Sequence, residues 1–466
     1  MKNKIGTLTS SLDRFRTSLK RSRMGSLSAD GERSLTIGIL SLGCPRNLVD
    51  SENILGRLKL KGHPIVDIGK AEVAIINTCA FIEDAKHESV DAVLDLIDLK
   101  KEGKLKKIIV YGCLAQRYKD ELRREFPEVD AFVGRISFPA KLFEEQAGSR
   151  LASEDWRENH DLNRFPLTPK HYAYLKVCEG CINNCSFCVI PKIKGKFSSL
   201  EMDTVLEKVR SLAGDGVSEI NIIGQDITGY GLDLYGDTKL ESLLEKIARY
   251  SGNIGWIRLL YLYPNRIRDS LLRLIAESPK ICKYIDLPIQ HINDRILKLM
   301  HRQTAKKDIL RLIEKIRKII PGVAMRTSLI AGFPSETDRE FKELLDFIEE
   351  ARFERLGAFI YSREESTRAC ALEGQIPERI KRERLNTIMS RQQIISNGIN
   401  KKLLGETIEV LIDEKGNGFY LGRSQYDAPE VDGQVYVRSK KLLNPGDFVK
   451  VKITDTLEYD LVGEAS

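Results

Sequence analysis

Three cysteines, Cys181, Cys185 and Cys188, lie on one short run, Cys181-Ile-Asn-Asn-Cys185-Ser-Phe-Cys188, just after an apolar strand-like stretch, Tyr172–Val177. Thiolates this close on a single loop can hold three corners of an iron–sulfur cube and leave the fourth iron without a protein ligand. An iron with an open position can bind and activate a small molecule, whereas a fully ligated cluster mostly stores or passes electrons. Cys178 adds a fourth thiol and makes Cys-x2-Cys-x3-Cys-x2-Cys, which raises zinc as a rival. The two Cys-x2-Cys pairs of a zinc site are usually separated by about 12–20 residues, enough for two knuckles around a tetrahedral ion. Three intervening residues are too few for that. A bacterial ferredoxin run orders its spacings differently and ends in Cys-Pro.

A second set, Cys44, Cys79 and Cys113, is scattered in sequence, but each member follows an apolar strand-like run: Leu35–Leu42, Val73–Asn77 and Ile108–Tyr111. In a parallel sheet the carboxyl ends of the strands share one edge, where ligands bind. Three thiols would converge there and could hold a second cluster with one open iron. Gly43 and Gly112 directly precede two of them and let the backbone turn closely around a bound group. The plain alternative is three buried structural cysteines, since free cysteine is often buried; the threefold repetition of the same placement weighs against it. Cys282 and Cys370 stand alone and read as structural or incidental.

The elements that must position these thiols follow from hydrophobic periodicity. Leu35–Leu42, Val73–Asn77, Ile108–Tyr111 and Ala131–Val133 read as buried parallel strands, with helices at Ser51–Leu60 and Ile82–Leu99. This βα alternation predicts an open parallel sheet domain over 35–147. A polar stretch, 148–169, reads as a linker. From 170 to 402 six strand candidates (Tyr172–Val177, Glu219–Ile223, Trp256–Leu262, Tyr284–Ile289, Val323–Ile330, Leu356–Tyr361) alternate with helical patterns, which predicts an α/β barrel or partial barrel. Ile380–Leu403 reads as a long charged helix. After it, over 403–466, short alternating runs separated by turn residues predict a small β-barrel. Residues 1–34 are polar, basic and Ser-rich and read as a disordered extension; an organelle transit peptide is a lesser alternative.

Other polar groups fall where the barrel strands end: Gly224-Gln225-Asp226, Tyr263-Pro264, Gln290-His291 and Gly332-Phe333-Pro334. Such ends are where these folds build sites. Asp226 could hold an amino group or simply cap a turn. Arg326 could hold a carboxylate or serve as an ion-pair partner. A single His291 reads first as a satisfied core residue. The basic loop Lys192–Lys196 reads as solvated, with contact to an anionic partner as the functional alternative.

The chain has 466 residues, 74 Lys and Arg, 67 Asp and Glu, a net charge of +7 and nine cysteines. Clustered cysteines with no export signal or apolar span predict a cytoplasmic protein that ligates metal rather than one held by disulfides. The charge is uneven: residues 1–34 carry +5, 405–466 carry −5, and the middle carries the rest. A basic middle suits an acidic ligand or nucleic acid. An acidic terminal module argues against its gripping RNA phosphate.

These residues together resemble the radical S-adenosylmethionine (radical SAM) methylthiotransferases. The likeness runs from about Leu35 to Gly463. It rests on Ser41-Leu-Gly-Cys-Pro-Arg-Asn-Leu-Val-Asp-Ser-Glu52, Asn77-Thr-Cys79, Tyr111-Gly-Cys113, the 181–188 run, Gly224-Gln-Asp226, Leu287-Pro-Ile-Gln-His291 and Ala331-Gly-Phe-Pro334. Cys178, where a non-ligand residue is expected, and the amino-terminal extension depart from the pattern. The resemblance implies a radical SAM partial (β/α)6 barrel and a carboxyl-terminal TRAM domain. It also implies two 4Fe–4S clusters with S-adenosylmethionine. Cys181, Cys185 and Cys188 would hold the catalytic cluster, Cys44, Cys79 and Cys113 the second, and Phe187, Gln225, Asp226, Gln290 and Arg326 would contact the cofactor. Within the family, the Cys-Pro-Arg-Asn run, Phe359-Ile-Tyr-Ser-Arg-Glu-Glu365 and 422–433 resemble the branch that methylthiolates an aspartate of small-subunit ribosomal protein S-twelve. The branch acting on a modified adenosine of tRNA usually carries Cys-Gln-Met-Asn. The implied partners are an electron donor such as flavodoxin or ferredoxin and a sulfide donor. A non-catalytic iron–sulfur protein that binds RNA or assists ribosome assembly is the alternative from another class.

Overall fold

The computed structural model describes residues 34–134 and 164–465. The expected extension and most of the expected linker lie outside the described residues. The chain divides into two units, Met1–Pro169 and Lys170–Ser466.

In the first unit four parallel strands, β1 (Ile37–Ser41), β2 (Val73–Thr78), β3 (Lys107–Gly112) and β4 (Ala131–Val133), lie in sequence order. The helices α1 (Pro45–Leu60), α2 (Glu83–Lys101) and α3 (Cys113–Glu125) connect them. Near-continuous apolar runs such as Val73–Ile76 suit strands covered on both faces, and β2 is buried along its whole length. The core gathers Ile37, Ile39, Leu55, Val73, Ile75 and Ile109. One helix starts earlier than its apolar periodicity suggests, and another lies where periodicity gives none. Helix α1 begins at Pro45, with Cys44 as N-cap, and α3, which periodicity did not reveal, begins at Cys113 itself. Proline suits a first helical position because its missing N–H has no intrahelical partner there.

The second unit holds six parallel strands in two sets of three. β5 (Tyr172–Lys176), β6 (Glu219–Ile223) and β7 (Trp256–Leu259) form one sheet, and β8 (Tyr284–Asp286), β9 (Ala324–Ala331) and β10 (Arg355–Ile360) the other. An isolated parallel bridge, Ile257↔Ile281, and the hydrogen bond from Leu262 N–H to the Asp286 carbonyl (3.0 Å) join them. Helices follow the strands as expected for a partial (β/α)6 barrel, with a further one at Leu240–Tyr250, and a long helix spans Glu378–Asn400.

The unit ends in a closed five-stranded barrel of β11 (Thr407–Lys415), β12 (Tyr420–Ser424), β13 (Val435–Arg438), β14 (Phe448–Thr456) and β15 (Leu461–Ala465). Its core is Val410, Ile412, Val435, Val437, Val451 and Ile453. Residues 423–432 of this barrel grip the amino-terminal ends of the six parallel strands. Tyr172, Tyr284 and Arg355 open β5, β8 and β10. Their side chains bond Glu430 (3.0 Å), Asp432 (2.6 Å) and Asp427 (2.8 Å). Glu219, first in β6, pairs with both Arg423 (2.7 Å) and Arg258 (2.8 Å). Arg326 pairs with Asp286 (3.0 Å) and Asp432 (3.4 Å). The ion-pair reading of Arg326 therefore describes its surroundings, and its guanidinium lies in this grip rather than at the carboxyl ends of the strands.

Candidate functional site: two sets of three thiols

In the first unit the three thiols converge at the carboxyl edge of the sheet. Gly43, at φ +86°, brings its backbone against Cys79: a Cβ placed on it would lie 2.7 Å from the Cys79 Cβ and 3.1 Å from its Sγ. Gly112, at φ +100°, has no room for a Cβ either, which would meet Asn77 Oδ1 and lie 2.8 Å from the Thr78 carbonyl. Both positions demand glycine twice over, for space and for a left-handed backbone. Buried Asn47 ties the edge together. Its amide donates to the carbonyls of Leu42 (3.1 Å) and Thr78 (3.2 Å), and the Cys113 thiol lies 3.9 Å from its Oδ1. Asn77 Nδ2 donates to the Asn47 carbonyl (2.7 Å) and to Ser51 Oγ (2.9 Å). Thus the polar residues of the Cys44–Glu52 run serve as scaffold. Fully buried Glu52 fastens the segment from Arg164 to Thr168 to this unit, accepting from the backbone N–H groups of Leu167 (2.7 Å) and Thr168 (3.3 Å).

The electrostatics record the convergence. Burial, then the neighbouring thiols of Cys113 and Cys44, push the Cys79 thiol from 9.0 up to about 12. Arg46 donates from Nε to the Cys44 Sγ at 3.3 Å. Two of the thiols sit at helix N-termini, where unpaired N–H groups favour negative charge.

The second set lies on the loop after a short antiparallel pair, Cys178–Glu179 with Ser198–Ser199. Asn183 donates from its backbone N–H and its side-chain amide to Cys181 Sγ, both at 3.4 Å. The same amide donates to Asp226 (2.7 Å), and Arg266 bridges Asp226 and Asn183 with two 2.7 Å bonds. Asp226 also accepts from Thr228 N–H (3.0 Å), so its turn-capping alternative holds and its carboxylate clamps the cysteine loop. Burial pushes the Cys181 thiol up to about 11; the Asn183 N–H opposes this and the Asp226 carboxylate adds to it. Ser186 pins the loop's far side through Met300 (3.0 Å) and Leu299 (2.7 Å). Phe187 packs against the cluster of Ile296, Met300, Ile330, Phe333 and Tyr361. Arg302 lies over the Tyr263 ring (4.1 Å), donates to the Pro288 carbonyl (2.6 Å) and places its other nitrogen 3.7 Å from Cys185 Sγ.

Cys178 is fully buried, with its thiol 3.8 Å from the Asp226 carbonyl and against Gly224. His291 is fully buried, accepts the Asn293 N–H at Nδ1 (3.0 Å), and is pushed down to about 4 by burial. Lys194, read from sequence as part of a solvated loop, is instead buried against Glu179 (3.1 Å), which also holds Lys176 (2.7 Å). Tyr263 stands among the candidate strand-end groups of the sequence, whereas Asn183, Arg266 and Arg302 carry no signal there as site residues. Of these three only Asn183 lies inside a motif; Arg266 comes from the segment after β7 and Arg302 from the turn after the helix Asp294–Leu299.

Two further features mark the carboxyl ends of the barrel strands. Tyr261, Gln290 and Ser335 hold positive φ (65°, 74° and 63°), a costly conformation for such residues that tends to collect at functional sites. Buried polar atoms also lack partners: both amide atoms of Gln225, the Tyr263 hydroxyl and Arg302 Nε. Unsatisfied buried groups are rare and call for an absent acceptor or donor. A three-thiol loop beside such atoms fits an iron–sulfur cube and a polar ligand. Among the described residues no three or more His, Cys, Asp or Glu side chains are gathered around one metal-ion position. A single zinc needs its sulfurs about 2.3 Å from one point, whereas a cube takes each thiolate on a different iron.

Comparison with known proteins agrees with this architecture. Family models match residues 175–348 (Radical SAM superfamily), 36–134 (Uncharacterized protein family UPF0004) and 404–465 (TRAM domain). The ribosomal protein uS12 methylthiotransferase RimO of Clostridioides difficile is 47% identical over 438 residues, covering 92% of this chain and 98% of its own. Its counterpart in Desulforamulus reducens is 48% identical over 440 residues, covering 92% and 99%. The chain belongs to the RimO methylthiotransferase family. It is thus a radical SAM enzyme with an α/β core and a terminal TRAM barrel. Among solved structures, the radical SAM methyltransferase TsrM of Kitasatospora setae, with tryptophan and a SAM analogue bound, aligns with TM-score 0.51 at 13% identity, covering 86% of this chain and 80% of its own. The cobalamin-dependent SAM radical enzyme OxsB aligns at 0.51 and 12%, covering 82% and 60%. At these identities the likeness is one of fold.

Proposed function

We propose that this chain methylthiolates ribosomal protein uS12, replacing a C–H at the β carbon of an aspartate with C–S–CH3. The observation that carries this is near-half identity, over 92% of the chain, to enzymes named for that substrate. Cys181, Cys185 and Cys188 would hold one 4Fe–4S cluster, and Cys44, Cys79 and Cys113 a second. When bound, the first cluster with S-adenosylmethionine would supply a hydrogen-abstracting radical that leaves as 5′-deoxyadenosine, the second would supply sulfur, and another S-adenosylmethionine would supply the methyl group. The protein's own part is geometric. Asp226, Asn183 and Arg266 fix the cysteine loop, while Gln225, Tyr263 and Gln290 line the strand ends where the cofactor would sit. Asn47, Asn77 and the two glycines hold the other thiols at one edge. A low-potential electron donor such as flavodoxin or ferredoxin and a sulfide donor complete the reaction in the cytoplasm. Among the described residues no helix is long and apolar enough to cross a membrane.

Reconstituted protein, reductant and SAM should yield 5′-deoxyadenosine, and uS12 peptides should gain one methylthio group by mass spectrometry. Cys185→Ala should abolish both. Cys79→Ala should keep SAM cleavage and stop thiolation, and normal thiolation by that variant would remove the second cluster's role. In cells lacking the gene, uS12 should lose the modification; if tRNA loses it instead, the substrate assignment is wrong.

A further inference from the structure

The Arg302 guanidinium is fixed by three contacts. One terminal nitrogen donates to the Pro288 carbonyl at 2.6 Å, the plane lies over the Tyr263 ring at 4.1 Å, and the other terminal nitrogen sits 3.7 Å from Cys185 Sγ. Its Nε is buried and unpartnered, as is the Tyr263 hydroxyl. A planar, permanently charged donor held this way loses little freedom on meeting an acceptor. Cluster potentials are set by net charge, hydrogen bonds to the sulfurs and exposure. Both of the first two act in the same direction here: a cation and an N–H donor stabilise the extra electron of the reduced cube.

We propose that Arg302 is a positioning residue that raises the reduction potential of the cluster on Cys181, Cys185 and Cys188, so that a cellular one-electron donor can load it. The inference rests on the assignment of those thiols to a cluster. The step adds one electron from an external donor to the cube, with no bond made or broken. The same device recurs on the other set, where Arg46 Nε meets Cys44 Sγ at 3.3 Å, which gives an internal control.

The test is an anaerobic dithionite titration followed by electron paramagnetic resonance, without SAM, in a Cys44/Cys79/Cys113 triple-alanine background that leaves only the 181–188 cluster. Arg302→Gln should make reduction at least tenfold less favourable, about 59 mV for one electron, with iron content unchanged. Arg302→Lys, which keeps the charge but not the fork, should give a smaller downward shift. That variant also decides the matter if Arg302→Gln fails to hold iron. Arg46→Gln should lower the potential of the other cluster in the complementary Cys181/Cys185/Cys188 triple-alanine background, and should leave that of the 181–188 cluster where it was in the first background. Unchanged potentials in iron-replete Arg302→Gln, or in Arg302→Lys alone, would overturn the proposal. Absence of any cluster in the 181–188 background would overturn the thiol assignment beneath it.

Discussion

At the scale of single residues, the thiols are the clearest signal and their partners the least visible. Three cysteines on an eight-residue run announce a cube because local spacing fixes geometry. Arg302 and Arg266 carry no such signal, since they reach the loop from later segments of the chain, Arg266 after β7 and Arg302 after the helix Asp294–Leu299, and only folding brings them there. Asp226 was legible as polar and strand-terminal, but its use as a clamp depends on Asn183 and Arg266, which sequence spacing does not pair. The thiols also give a pH prediction. Cys79 and Cys181 are pushed up from 9.0 to about 12 and about 11. A raised pKa means the fold favours the protonated thiol, so this contribution is complete below about 9 and is lost as pH rises toward 11–12. The thermal midpoint of the cluster-free protein should therefore fall steeply above pH 9. Reconstituted protein, whose thiolates are already deprotonated on iron, should lack that component. Equal slopes for the two forms would contradict it.

Among the elements, strands were easier to read than helices. Buried parallel strands are short apolar runs bounded by Gly or polar residues, and β2 and β4 fall close to where the runs lie. Helix α3, Cys113-Leu-Ala-Gln-Arg-Tyr-Lys-Asp-Glu-Leu-Arg-Arg-Glu125, buries only Cys113, Leu114, Ala115 and Leu122, so its apolar stripe is too thin to announce itself. This omission matters, because α3 places Cys113 at a helix start. The turns entering α1 and α3 are the weak points of the first thiol set. Gly43→Ala would force a side chain into 2.7 Å contact with Cys79 at φ +86°. The variant should retain its helical circular dichroism and its SAM cleavage while losing about half its iron, since only one of two cubes depends on that turn. Full iron content in Gly43→Ala would show that the turn does not shape the site.

For the whole molecule, the sequence showed a barrel and a terminal β-module but not how they are joined. The acidic balance of residues 405–466 had argued against RNA. Asp413, Asp427 and Asp432 prove to be spent on His171, Arg423, Arg355, Arg326 and Tyr284. Setting those three acids and Arg423 aside leaves nine acids against six bases, or −3. Part of the charge therefore holds the second unit together, and charge alone is a weaker guide to the substrate than it seemed. Removing one side of a buried pair leaves an uncompensated charge, at a cost of about 3–5 kcal/mol, whereas replacing both by apolar groups is often neutral. Asp427→Leu should thus lower stability to denaturant strongly, and Asp427→Leu with Arg355→Met should recover most of the loss. A double variant as unstable as the single one would assign the effect to packing rather than charge.

The most direct test counts iron and sulfide in anaerobically reconstituted protein. The wild-type chain should bind about eight irons, and triple-alanine replacement of either cysteine set should leave about four. A wild-type value near four, unchanged when Cys44, Cys79 and Cys113 are replaced, would contradict the presence of two open cubes.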